Sequence, residues 1–212
     1  MRLAPHDAPD FLTLAAERLR QEPPPHDEAV ANPRGDHTID NVPLAHPLTP
    51  KPAAVLVPVV MREEPMLLLT ERSAQLRQHS GQIAFPGGRV DPEDVSVLAA
   101  ACREAMEEIG LDSRFISPLG YLDPYLSTTN YLVMPVVARV SPSYTLNLNP
   151  DEVAEAFEVP LCFLMDPARH ELHSREWKGR VRRYYAMPYE GRYIWGVTAG
   201  IIRNLYERLY GS

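Results

Sequence analysis

The sequence predicts a mixed α/β domain in which helices cover both faces of a β-sheet. Three observations carry this. The segments run strands, helix, strands, helix. Two strand-like runs, Ala53 to Met61 (AAVLVPVVM) and Tyr131 to Val140 (YLVMPVVARV), are almost continuously apolar, as buried strands are. Between them, Val95 to Ile109 has no Gly or Pro and is rich in Ala, Leu and Glu, which is good helix composition.

The elements follow in order. Asp7 to Gln21 reads as a short amphipathic helix whose apolar positions are Phe11, Leu12, Leu14, Ala15 and Leu19. Pro9 suits its first turn, and Pro23-Pro24-Pro25 ends it. From there to Pro52 the chain is polar and Pro-rich, which predicts a long loop draped over the domain. Residues 1–50 are thus expected as an N-terminal helix with an extended segment, and 51–212 as the domain proper. Glu63-Glu64-Pro65 turns the first strand into a return strand at Met66 to Thr70. Glu71 to Ser80 reads as a charged loop, and Gln82 to Phe85 as a short strand. Pro86-Gly87-Gly88 then makes a strand-to-helix turn, because glycine permits positive φ and close backbone approach. Beyond the helix, Ile116 to Leu122 is strand-like and Asp123 to Asn130 is a polar connection. Val153, Phe157 and Val159 lead into a short helix at Leu161 to Met165. Arg180 to Met187 and Gly191 to Ile194 read as a hairpin. Thr198 to Leu209 closes the chain as a helix with Ile201, Ile202, Leu205 and Leu209 as its stripe.

Composition narrows the function. The chain has 212 residues, 45% of them hydrophobic and 23% charged, which is ordinary for one soluble globular domain. A net charge of −7 argues against a nonspecific grip on nucleic acid or an anionic membrane. Cys102 and Cys162 are far apart and lack metal-ligand spacing, so both read as buried thiols in a reducing compartment. No apolar run approaches membrane-spanning length, and the N-terminal stretch has no signal-peptide core. A cytoplasmic location is expected.

The chemistry concentrates in the central helix. At about 100° per residue, Glu104, Glu107 and Glu108 fall on one face, and Leu98, Cys102, Ala105, Met106 and Ile109 on the other. Arg103 stands one turn before Glu107 and can pair with it, and Gly110 occupies the usual stop position. Three like charges on one face are unfavourable without a compensator. A hard divalent cation, Mg²⁺ or Mn²⁺, is the natural one, since it takes carboxylate oxygens and keeps waters for a phosphate substrate.

Arg103-Glu104-Ala105-Met106-Glu107-Glu108-Ile109-Gly110-Leu111 resembles the second half of the Nudix box, G-x5-E-x7-R-E-U-x-E-E-x-G-U. Upstream the match changes. With five residues intervening after Gly88 comes Asp94 rather than Glu, and eight residues rather than seven separate it from Arg103. That one-residue lengthening is similar to the coenzyme A pyrophosphatase branch of the family. Leu68-Leu69-Thr70-Glu71-Arg72-Ser73, Arg77, His79, Gly81-Gln82, Phe85-Pro86-Gly87-Gly88, Asp91 and Asp94 resemble that branch's extended signature. The resemblance runs from about Ala53 onward and implies the α/β/α sandwich of the Nudix fold with a mixed sheet.

It also implies site roles. Glu104 and Glu108 are the expected metal ligands, with Glu107 held by Arg103 and also a ligand candidate. Asp94 stands at the upstream acid position as a further candidate, with Glu93 beside it. Arg72, Arg77 and His79 would recognise the coenzyme A moiety, with Gly87 and Gly88 shaping the substrate turn. Glu152 is a candidate base from a late loop, with Glu155 as its neighbour; hydrogen-bond reach decides between such groups. His170 and His173 are three apart without a third ligand, so a surface loop is preferred to zinc. The expected activity is metal-dependent cleavage of the diphosphate of coenzyme A or its thioesters. Another nucleoside diphosphate compound, such as ADP-ribose or a dinucleotide, is the alternative substrate, and a non-hydrolytic ligand sensor is the alternative class. A small-molecule substrate is the expected partner, with a homodimer plausible from the family.

Overall fold

The computed structural model describes residues 8–44, 47–76, 79–177 and 179–211. The described chain opens with helices α1 (Ala8–Arg18), α2 (His26–Ala31) and α3 (Asp36–Ile39). Strands β1 (Lys51–Val60), β2 (Met66–Arg72), β3 (Ile83–Ala84) and β4 (Gly87–Arg89) precede helix α4 (Val97–Ile109). Then come β5 (Ile116–Tyr121), β6 (Tyr125–Leu126), β7 (Tyr131–Val140) and β8 (Val153–Pro160). After the one-turn helix α5 (Leu161–Leu164) follow β9 (Glu171–Trp177), β10 (Arg180–Tyr189), β11 (Arg192–Trp195) and the closing helix α6 (Val197–Leu209).

The larger sheet is mixed, with path β3-β2-β1-β7-β5. Its central pair, β1 and β7, is parallel from Lys51↔Tyr131 to Val60↔Val140, and every other pair in it is antiparallel. The alternation of side chains along β1 explains its unbroken apolar run. Ala53, Val57 and Val59 face one core, where Phe11, Ala15 and Leu19 of α1 and Ile201, Ile202 and Leu205 of α6 pack. Ala54, Leu56 and Val60 face the other, against Ala100, Ala101, Ala105 and Ile109 of α4. The α/β/α sandwich is therefore read from one strand with two buried faces. No helix among the described residues is long and apolar enough to cross a membrane.

Several expectations change. The Pro-rich stretch after α1 contains the two short helices α2 and α3, and its backbone is tied to the domain: Arg34 donates to the Pro124 carbonyl and Leu126 to that of Arg34. Gly87-Gly88 is not a bare turn but part of β4, paired with β1 through Ala54↔Gly88 and Val55↔Gly87. The helix starts two residues later than expected, because Ser96 caps it by accepting from the Ala99 N–H. Val153 to Pro160 is a strand on β2, and Glu171 to Trp177 joins the expected hairpin to make a second, three-stranded sheet. Glu171 to Trp177 is rich in charged residues, which weakens its strand signal. His170 is buried and its Nε2 lies 2.7 Å from the Leu164 carbonyl oxygen, so it is a buried histidine in a loop rather than a surface one.

Helix α1 is integral to the packing. Phe11 is fully buried among residues of β1, β2 and α6. Phe11→Ala is expected to cost about 3–5 kcal/mol, read as a lower urea midpoint with an unchanged slope; an unchanged midpoint would show that α1 does not dock.

Candidate active site

The site grows from the contact of β4 with α4. The buried stripe of α4 is Ala100, Ala101, Ala105, Glu108 and Ile109. Glu108 thus lies inside the packed face, whereas Met106, expected in the core, is 54% exposed. The reason is rotational: 101, 105, 108 and 109 are one stripe at helical spacing, and 106 lies off it. Two glycines let β4 lie directly over these carboxylates. A Cβ on Gly87 would meet the Ala54 carbonyl oxygen at 2.4 Å, and one on Gly88 would meet Glu104 Oε1 at 2.4 Å. The Gly87 N–H donates to Glu108 Oε2 at 3.1 Å.

Arg103 organises the outer half. Its Nε and one terminal nitrogen grip Asp94 at 3.0 and 2.9 Å, in the two-point geometry suited to a carboxylate. Its other terminal nitrogen donates to Glu104 at 3.1 Å and to Glu107 at 3.0 Å. A further bond reaches the Arg89 carbonyl at 3.0 Å, which ties α4 to the end of β4. The Asp94 carboxyl is held below its usual range, chiefly by Arg103. Both Asp94 oxygens are engaged within the protein, Oδ2 also accepting from the Asp91 N–H at 2.8 Å. Glu107 points outward, with its side chain 55% exposed.

The inner half holds Glu104 and Glu108. Burial pushes the Glu104 carboxyl up, and Arg103 opposes this. Burial also raises Glu108, to about 7, against the Gly87 N–H and Arg72, while Glu104 and Glu152 add repulsion. Arg72 approaches Glu108 only to 3.8 Å, and its buried Nε has no hydrogen-bond partner among the described residues. Glu152 enters from the loop after β7, steadied by Asn149 at 3.3 Å, and its backbone carbonyl accepts from Ser73. Glu104 is thus repelled by Glu107 and Glu152, and Glu108 by Glu104 and Glu152.

A cleft of about 590 Å³ adjoins this cluster. Gly87, Gly88, Arg72 and His79 line its inner end. His79 has φ of 60° and its Nδ1 lies 2.8 Å from the Gln82 amide oxygen. Arg77 lies outside the described residues. Glu155 is drawn away by an ion pair with Arg192 at 2.7 Å. The rest of the lining was not anticipated from sequence: it includes Asp36 of α3, Arg175 of β9, Arg182 of β10 and Trp195 of β11. The Arg-Val-Arg-Arg run at 180–183 was its only sequence signal, and it reads equally as an exposed hairpin.

Among the described residues, no three His, Cys, Asp or Glu side chains are gathered closely enough to complete a metal centre. The donor chemistry nonetheless fits a hard cation. Two desolvated carboxylates are only partly compensated by Arg103 and Arg72, and Mg²⁺ is commonly held by one or two carboxylates plus waters and substrate phosphates.

A family model described as the NUDIX domain matches residues 50–180. "Uncharacterized Nudix hydrolase NudL" of Shigella flexneri serotype 5b is 45% identical over 75% of this chain and 83% of its own. The protein of the same name from Cronobacter sakazakii is 45% identical over 74% and 82%, and that from Photorhabdus laumondii 43% over 74% and 84%.

The raised Glu108 carboxyl makes a stability prediction for the metal-free protein. The fold holds its proton between the ordinary value of 4.5 and about 7, so stability falls as pH rises through that window. The span corresponds to roughly 3 kcal/mol. Glu108→Gln keeps the acceptor for Gly87 and removes the ionisation. In chelator, it is expected to unfold at a higher temperature than the parent at pH 8 and at the same temperature at pH 4.5; equal midpoints at pH 8 would refute the assigned burial cost.

Proposed function

This chain is a member of the NUDIX domain family, and we propose that it hydrolyses the diphosphate of coenzyme A or its thioesters in a divalent-metal-dependent reaction. Water adds to one phosphorus and the bridging P–O bond breaks. The products are 4′-phosphopantetheine, or its acyl form, and adenosine 3′,5′-bisphosphate. The observation that carries the reading is the glycine strand laid over Glu104 and Glu108 beside a basic cleft. A bound Mg²⁺ or Mn²⁺ would neutralise phosphate charge and lower the pKa of its water. Glu104 and Glu108 are the residues to hold it.

The remaining roles belong to the chain's own groups. Arg103 acts as a positioning residue, fixing Glu104 and clamping α4 to β4 through Asp94 and Arg89. Asp94 fits this bracing role better than the ligand role considered from sequence, since Arg103 occupies both of its oxygens. Glu107, exposed and paired with Arg103, supports the same brace. Glu152 is the candidate to take the water's proton, because it bears electrostatically on both inner carboxylates. Arg72 and His79 line the cleft where a diphosphate would meet positive charge, and Arg72 has a donor to spare. The one-residue lengthening before Arg103 and the Arg72-to-Asp94 signature favour coenzyme A over other nucleoside diphosphate compounds.

A product assay with and without Mg²⁺ on coenzyme A, 3′-dephospho-coenzyme A and ADP-ribose tests the substrate. Coenzyme A is expected to be turned over fastest, and preference for ADP-ribose would overturn the assignment. Glu108→Gln should fold and lose nearly all metal-dependent turnover. Gly88→Ala should also fold, since its Cβ meets only the movable end of Glu104. It is expected to lower kcat at least about 10-fold by displacing that carboxylate, in line with the sensitivity of catalysis to small misplacements.

A further inference from the structure

One guanidinium beside the carboxylate cluster is held in place without an acid to neutralise it, and the roles assigned so far do not use it. Arg89 follows Gly88 on β4 and pairs with Ala53 of β1. By strand alternation its side chain leaves on the face opposite the one that Gly88 turns to Glu104. That face is the cleft, which Arg89 lines with Ala53, Val55 and Tyr131. Its backbone is fixed by Arg103, which donates to the Arg89 carbonyl at 3.0 Å. Its side chain is fixed by Tyr131 of β7: Nε donates to the phenol oxygen at 3.0 Å, and the guanidinium carbon lies 5.6 Å from the ring centroid. Among the described residues this hold leaves both terminal nitrogens of Arg89 open. Lys51 brings a second cation to the same ring, its Nζ 5.7 Å from the centroid.

The neighbouring acids are committed elsewhere. Asp91 and Asp94, just beyond Arg89 in the chain, are taken by Arg103 at 3.5 and 2.9 Å, and Glu104 by the same arginine at 3.1 Å. Among the described residues, no carboxylate oxygen lies within 4 Å of the Arg89 side-chain nitrogens. Other arginines of the cleft differ: Arg72 faces Glu108, and Arg183 is paired with Asp40. A fixed guanidinium with open donors and no counter-ion suits the planar, two-point recognition of a phosphate. We propose that Arg89 is a phosphate-binding residue, with Tyr131 as its positioning residue, which takes a non-bridging oxygen of the substrate's diphosphate from the cleft side of β4. Resting on the diphosphatase reading, this contact holds the phosphates beside the Gly88 backbone, against whose other side Glu104 lies. Recognition of this kind follows the diphosphate itself and not the groups attached to it.

The test is a double-variant cycle. Arg89→Gln, Arg89→Lys, Tyr131→Phe and the combined Arg89→Gln/Tyr131→Phe protein are assayed on coenzyme A with Mg²⁺. Arg89 is exposed, so its variants are expected to fold. Arg89→Gln should lose about 10- to 100-fold in kcat/KM, the size of a charged hydrogen bond, and Arg89→Lys should recover part of it. The loss should be equal on 3′-dephospho-coenzyme A, which shares the diphosphate. Tyr131→Phe keeps the ring and removes the hydroxyl, and should lose about 3- to 10-fold. The combined variant should be no worse than Arg89→Gln alone, because Tyr131 acts through the guanidinium; a merely structural Tyr131 would make the two losses multiply. Unchanged kcat/KM in Arg89→Gln, or losses that multiply, would overturn the assignment while leaving the diphosphatase reading intact. Should the parent protein not cleave coenzyme A, calorimetric titration with α,β-methylene adenosine diphosphate, whose bridge resists hydrolysis, separates the two ideas. Binding by the parent that Arg89→Gln weakens at least about 10-fold upholds the phosphate contact without the coenzyme A reading. Equal binding by both proteins, or none by either, overturns the contact.

Discussion

The close approach of a backbone strand to two buried carboxylates is the constraint on which the rest of this structure depends. Glu104 and Glu108 are useful only if α4 presents them inward, yet inward carboxylates must be desolvated. The structure resolves this by removing side chains rather than by adding charges. Gly87 and Gly88 bring N–H and empty volume to the acids, and Arg103 braces the helix from outside. Neither inner carboxylate is fully neutralised by the protein. That residual charge is what a cation and a phosphate substrate would complete.

Much of this was legible in the sequence because local rules and global packing agree there. β1 and β7 are read as buried strands from two apolar runs, though not their parallel pairing, and α4 from its composition and its Gly110 stop. The pairing of Arg103 with Glu107 follows from helical spacing alone. What was not legible depends on tertiary partners. Helical geometry could place Glu108 beside Glu104 but could not tell that the Glu108 face is buried and Met106 is not, because that is set by where β4 lies. Asp94 reads as a potential ligand by position, and only its two-point bond with Arg103 reveals a brace. The strand Glu171–Trp177 carries too many charges for alternation to be visible.

The first forty residues gain meaning in the same way. Their composition suggests a loose covering, yet Phe11 is wholly buried and Asp36 reaches the cleft wall. The family match begins at residue 50, so this cover lies outside the matched region while forming part of the same cavity. A NUDIX domain here is thus shaped at one end by chain that its family model does not include.

The parallel pairing of β1 with β7 also governs how the molecule comes into being. Lys51 must find Tyr131, and the intervening chain carries β4, α4 and all three box glutamates. Closing so long a loop brings no reward until its ends meet, which slows assembly. A nascent chain that ends before β7 leaves β1 with an unsatisfied edge and two greasy faces, the usual substrate of chaperones. The parallel centre of the sheet is therefore complete only once the chain has grown through Val140.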